Sequence, residues 1–276
     1  MDYSFIREKF DINSISKSIL SIQVSLDGFS FVITTAEHQQ YPDYIYINRI
    51  ENNDSEKLTM ALSSFRGFDL KEFYAIRIIV HEAVFALVPD TFFDPKDINA
   101  YLNLNHPSIV NRKILSNRIT LANAVCIFSM DQKLYDLLKK KYPEAEFCHT
   151  SLPFCTMALN KSNDACFIQC YEKSLELSII KAQKLVLYNI FDLHDGNDIV
   201  YYVLNAYKSI NLDPLIHPLF IAGILAKDAE AISIAEKYIK NIHFYTNDSV
   251  IVPGSGEFHY PLHYFLNHWE ILNCEL

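Results

Sequence analysis

The chain has 276 residues, 50% of them hydrophobic, with a formal net charge of −9 and six glycines, where roughly nineteen would be usual at this length. That length and apolar content allow two separate cores, and the acidic balance argues against nucleic acid or an anionic membrane surface as partner. Gly28, Gly67, Gly196, Gly223, Gly254 and Gly256 form neither GxGxxG nor GxxxxGK[ST], which excludes P-loops and glycine-fingerprint dinucleotide sites, because both need close backbone approach and positive φ.

The N-terminal stretch MDYSFIREKFDINS carries mixed charge and no apolar segment of the kind that opens a secretory signal. The longest apolar run, residues 219–226, is far shorter than the roughly twenty residues of a membrane span. A cytoplasmic chain without membrane insertion is the expectation. Residues 21–33 (SIQVSLDGFSFVI) then alternate apolar and polar positions across a short polar break, which predicts a β-hairpin. A third strand follows at 44–50, and Leu58, Ala61, Leu62 and Phe65 mark a helix. Two further strands are expected at 73–81 and 83–88, with His81 and Glu82 in the turn between them and a helix after Asp94. A buried-looking strand at 123–130 (NAVCIFSM), a helix carrying Leu134, Leu137, Leu138 and Tyr142, and a strand at 146–150 complete this half.

The second half repeats that order. Residues 167–179 (FIQCYEKSLELSI) align with 21–33 without a gap, so that Gln23 faces Gln169 and Phe29 faces Leu175. A strand at 184–190 comes next, then a helix striped by Ile199, Val200, Val203, Leu204, Tyr207 and Ile210. Asp195 or Asn197 suits its N-cap and Asp198 its macrodipole, which accounts for the acidic group Asp192, Asp195 and Asp198 without a metal. The strand at 218–225 (PLFIAGIL), a helix with Ile232, Ala235 and Ile239, and a strand at 242–246 close the unit. The shared order is β-β-β-α-β-α-β, an α/β architecture of two lobes with mixed sheets. The N-terminal lobe is read as 1–150, with an insertion at about 70–119 that makes 123–130 the counterpart of 218–225; the C-terminal lobe is read as 151–276.

Six cysteines lack CxxC spacing and read as reduced, buried thiols, with no metal site expected. His259, His263 and His268 look like packing or surface residues near an amphipathic C-terminal helix, and Gly254–Ser255–Gly256 like a turn. Tyr41, Tyr44, Tyr46, Tyr201 and Tyr202 exceed what one face of each element would bury, so they are candidates for either core or interface.

Two copies of this order with an insertion in the first, together with LSIQVSLDGFSF, FALVPDTFF, KLVLYNIFDLHDGNDIVYYVLNAYKSINLDP and KYIKNIHF, resemble the actin-like ATPase (ribonuclease H-like) superfamily of actin, heat-shock chaperones and sugar kinases. The second half is similar to an uncharacterised bacterial domain-of-unknown-function family assigned that fold, and KLVLYN…DIVYYVLN…LDP also resembles actin-like proteins of pilus assembly. The resemblance implies a fold and, for active members, a nucleotide held between the lobes by an Asp and Gly/Ser/Thr turn in each half and by a Gly-Gly element. Here the first turn keeps only Asp27 and Gly28, the second reads Tyr171-Glu172-Lys173-Ser174, and the adenosine element is reduced to Gly223. Lys173 stands where Asp27 stands in the first half. The expected function is therefore that of a non-catalytic binding or scaffold protein, with no cofactor and no catalytic residue, recognising another protein through its lobes or cleft. Phe29, Tyr171 and Lys173 should occupy that cleft. The alternative is a divergent ATP-binding enzyme using Asp27, Gly28, Glu172 and Gly223.

Overall fold

The computed structural model describes residues 3–6, 16–25, 27–35, 42–49, 55–64, 73–107, 110–246 and 261–275. The chain runs through β1 (Tyr3–Ile6), β2 (Ser18–Ser25), β3 (Gly28–Thr35), β4 (Pro42–Arg49), α1 (Ser55–Ser64) and β5 (Ala75–Val80). It continues with β6 (Phe85–Pro89), α2 (Ile98–Asn105), β7 (Arg112–Ile119), β8 (Ala124–Asp131), α3 (Gln132–Lys141), β9 (Glu146–His149) and α4 (Ser151–Lys161). The second half is β10 (Ala165–Cys170), β11 (Ser174–Lys181), β12 (Lys184–Asp192), α5 (Gly196–Ile210), β13 (Leu219–Gly223), α6 (Glu230–Ala235) and β14 (Ile242–Phe244). A short helix, α7 (Leu266–Glu270), lies between two 3₁₀ turns near the end.

Strand pairing gives two sheets of the same plan. The first has the order β1-β4-β3-β2-β5-β9 and the second β12-β11-β10-β13-β14. In each, a three-strand antiparallel meander joins two parallel strands through helical crossovers. The hairpins coincide at the gapless alignment: Ile22 pairs with Phe31 as Ile168 pairs with Leu177. Both turns therefore sit at one equivalent corner of their sheets. The fold class is the expected one: α/β, with mixed sheets in two lobes.

One equivalence read from the sequence is corrected. The counterpart of β13 is β5, which runs parallel to β2 as β13 runs parallel to β10. NAVCIFSM is β8, the central strand of a separate antiparallel sheet ordered β6-β8-β7. The inserted sheet therefore spans residues 85–131, between β5 and α3, later than the expected 70–119. Both AIRIIV and NAVCIFSM are short apolar runs, and periodicity cannot tell which of two buried strands pairs with β2.

Helix α4 was not anticipated. Its first nine residues are all buried except Thr156, so no apolar stripe against a polar face betrays it. It packs against β7, β11, β12 and α7, between the sheets. Helix α7 returns to the first sheet: His268 Nδ1 and Nε2 lie 2.7 Å from the hydroxyls of Ser21 and Ser30, and Arg77 donates to the carbonyls of Ile271 and Cys274. One core thus joins the first sheet, α4 and the C-terminal segment, while a second lies under α5 and α6. Helix α5 is built as expected, with Asp195 and Asp198 forming a capping box and Asn211 ending it in the left-handed conformation. All six cysteines are free and buried. Tyr202 stacks on Phe191 with centroids 4.3 Å apart, whereas Tyr201 remains 64% exposed. Tyr46 packs on Phe29 and Phe31. Phe65, Gly67, Tyr41, residues 254–256, His259 and the side chain of Tyr44 lie outside the described residues.

Candidate functional site

Two adjoining cavities open where the chain leaves the carboxyl ends of β2, β5, β10 and β13, the edge at which parallel strands present loops to a ligand. The first, about 660 Å³ and open to solvent, is lined by Asp27, Gly28, Phe29, Tyr171, Glu172 and Gly223. The second, about 460 Å³, takes Lys173 together with Asp27, His81, Glu82 and Asp192. Lys173 lines only the second cavity, while the other residues singled out for the cleft line the first and Asp27 lines both. Phe29 and Tyr171 are buried and form walls; Lys173 is exposed.

Asp27 is engaged on both sides. One carboxylate oxygen accepts the Ser25 hydroxyl, and the other accepts the backbone N–H of Glu172 at 3.1 Å. A side chain at the corner of one lobe is thereby bonded to the main chain at the equivalent corner of the other. Gly28 (φ 143°) supplies the backbone shape of the first turn. In the second turn that position is Ser174, whose hydroxyl lies 2.8 Å from Nε2 of His81. Gly223 is required for a different reason. Its φ is +81°, and a Cβ there would stand 2.0 Å from the carbonyl oxygen of Cys170. This glycine lets β13 end against β10, and Ile224 N–H donates to the same carbonyl at 2.9 Å.

Beneath the cavities lies a polar network that sequence reasoning missed. Glu176 on β11 is fully buried and accepts hydrogen bonds from the hydroxyls of Tyr188 (2.7 Å) and Tyr171 (3.2 Å). Burial pushes its carboxyl up to about 7, against the stabilising bonds from Tyr188, Tyr171 and Thr150. Tyr171 also stacks on His81, with centroids 3.6 Å apart, and its oxygen receives Asn267 Nδ2 at 3.1 Å. Asn267 donates as well to Gln23 on β2, so a residue of α7 bridges the two lobes. Burial holds His81 and His149 down at about 3, which keeps both imidazoles neutral. His149 Nε2 lies 2.8 Å from the carbonyl of Glu82, and its Nδ1 accepts from Ser151 N–H. The signal for part of this was present: Gln23 and Gln169 occupy matching positions in apolar strands. Glu176 gave none, because alternation in SLELSII reads as a half-exposed strand.

Among the described side chains, no lysine or arginine lines the first cavity. Among the described residues no group of three or more His, Cys, Asp or Glu side chains could hold a metal ion, and no helix is long and apolar enough to cross a membrane.

A family model described as "Protein of unknown function (DUF3822)" matches residues 7–242. The chain belongs to this family. The DUF3822 chain is similar in structure to a Bacteroides thetaiotaomicron protein with an actin-like ATPase fold and unknown function, at a TM-score of 0.79 and 22% identity, covering 96% of this chain and 99% of that one. A second likeness, at a TM-score of 0.57 and 10% identity over 92% of this chain and 98% of that one, is to a chain of a PilM-PilN type IV pilus biogenesis complex. Curated proteins give no match. The DUF3822 chain therefore has the actin-like ATPase fold expected from its duplicated order. These likenesses identify a fold and leave its use to the site.

Proposed function

We propose that this protein is a non-catalytic member of the actin-like fold whose lobes and cleft bind another protein. The observation that carries this reading is the bond between Asp27 and the Glu172 N–H, which spends a carboxylate and an amide at the two turns where the fold would hold phosphates. Among the described side chains, no lysine or arginine lines the first cavity. Two unit charges of like sign 4 Å apart repel by about 4 kcal/mol at an effective dielectric near 20, so the carboxylate of Asp27 opposes an anion there. The similar fold in a PilM-PilN complex supports a protein partner in kind, without naming one for this chain. A cytoplasmic setting and the absence of nucleic acid as partner belong to the same reading.

The convergence of Asp27, Gly28, Glu172 and Gly223 on one cavity favours a second reading, that of a divergent ATP-binding protein. A thermal-shift titration with ATP and magnesium separates the two. A bound ligand stabilises by RT ln(1 + [L]/Kd). The expected result is an unfolding temperature unchanged across millimolar ATP. A saturable rise that Asp27→Ala abolishes would establish the second reading instead.

A further inference from the structure

Gln23 and Gln169 stand at matching positions of the two lobes, on β2 and β10, and both line the first cavity. They are used differently. The oxygen of Gln23 accepts Asn267 Nδ2 at 3.1 Å, so that carboxamide is engaged in joining the lobes. Gln169 is 1% exposed, and its Oε1 has no hydrogen-bond partner. Its Nε2 makes no bond to a described residue either. The neighbouring strands do not serve it: Ala222 on β13 has no polar side chain, and the oxygens of Glu176 on β11 already receive the hydroxyls of Tyr188 and Tyr171. A buried polar group left unpaired is costly and rare in folded proteins, and this one faces a cavity walled by the rings of Phe29, Tyr171, Tyr264 and Phe265.

A carboxamide holds an acceptor and donors in one plane, and that selects what completes it. A group with donors only, such as an amidinium, would leave the Gln169 N–H unmet. A group with acceptors only, such as a carboxylate, would leave Oε1 unmet. An apolar group would leave both. A second carboxamide meets both at once, in two parallel hydrogen bonds, and the flat group to which it is attached packs on aromatic faces. We propose that the first cavity is a carboxamide-binding site, in which Gln169 makes the paired hydrogen bonds and the rings hold the rest of the ligand. This rests on the non-catalytic binding role proposed above and gives its ligand a chemical class. The carboxamide could be an Asn or Gln side chain of a polypeptide or belong to a free aromatic amide.

Ligand-observed NMR on the full chain with benzamide, benzamidine and benzoate tests the proposal, because the three share a ring and a shape and differ in the donors and acceptors they present. Saturable benzamide binding is expected, at least about tenfold tighter than either of the others. Gln169→Met, which keeps the length of the side chain, should abolish that preference. It should also leave the unfolding temperature at or above that of the wild type, since an unpaired buried amide adds nothing to the fold without its ligand. A marked fall in unfolding temperature, or failure to fold, would show the amide bonded inside the native chain and overturn the proposal. No saturable binding, equal binding of the three probes, or a preference that survives Gln169→Met overturns it too. Acetyl-Gly-Gly-Gln-Gly-Gly-amide binding more tightly than benzamide points to a polypeptide, and weaker binding points to a free aromatic amide; either outcome supports the site. Those failures leave the non-catalytic role standing, whereas saturable ATP-magnesium binding, with no benzamide binding, overturns both.

Discussion

The carboxylate of Asp27 accepts the backbone N–H of Glu172 at 3.1 Å and so ties the β2–β3 turn to the β10–β11 turn. These turns are equivalent in the duplicated plan, yet the tie runs one way. The residue matching Asp27 in the second turn is Lys173, which has donors only. Divergence between the copies, one acidic and one basic, thus sets the direction of a contact between lobes. Asp27→Ala should lower stability by about 1.5–3 kcal/mol, typical of a hydrogen bond to a charged group. Asp27→Asn, which keeps an acceptor, should lose less. Urea midpoints measure both, and hydrogen exchange at the Glu172 amide should accelerate in the alanine variant. Unchanged exchange would mean that the tie is not formed in solution.

Stability should rise with pH between about 4.5 and 6.5. Burial holds His81, His149 and His268 down at about 3 from 6.5, so each is neutral when folded and charged when unfolded in this range. Their contribution is present above 6.5 and is lost as pH falls through 3. Glu176 acts oppositely: raised to about 7 from 4.5, it contributes fully below 4.5 and loses that contribution as pH rises through 7. Three protons against one leave a net slope of two, roughly 3 kcal/mol per pH unit. Directions at His263 (lowered by burial) and Glu270 (raised by burial) offset each other. Glu176→Gln should steepen the slope to about three protons. A slope equal to that of the wild type would remove Glu176 from the account.

Gly223→Ala should be severely destabilising, by more than about 3 kcal/mol, because a left-handed φ and a backbone clash at 2.0 Å act together. Gly196→Ala is the control. Its Cβ would meet only Ala231 Cβ at 3.8 Å, at the start of α5, so the change should be neutral or stabilising by up to about 1 kcal/mol. Thermal unfolding of the two variants should diverge accordingly.

His268→Leu should cost about 2–3 kcal/mol, because it leaves the hydroxyl of Ser30 without its ring partner in a part-buried site and removes that of Ser21, which keeps a bond to the Val32 carbonyl. The variant should also lose about one proton from the acid-side slope. A stability loss without that change in slope would mean that the ring is not held neutral.

Much of this architecture was legible because its signals are local. The alternation in SIQVSLDGFSFVI and FIQCYEKSLELSI fixed both hairpins and their register, and the capping residues of α5 were readable from LHDGND. The misassignment of NAVCIFSM arose at the first non-local step. Pairing of β5 with β2 joins residues more than fifty positions apart, and nothing in either run of apolar side chains encodes it. Asp27, Gly28, Glu172 and Gly223, which the family resemblance points to, line one cavity. Glu176 and His81 were not found in this way. Strand β11 is buried along its whole inner length, so its polar residue lies in the protein and not in water. His81 gains its partners, Tyr171 and Ser174, only when the second lobe is in place.

The return of α7 to the first sheet has a consequence for synthesis on the ribosome. Residues of β2, β3 and β5 find His268, Asn267 and the carbonyls of Ile271 and Cys274 only after some two hundred further residues have been added. The first sheet therefore emerges long before the segment that completes its packing, and until then Ser21, Ser30 and Arg77 lack those partners. The second sheet, whose own core lies under α5 and α6, depends less on that late arrival. The half made later is the one equipped to finish first.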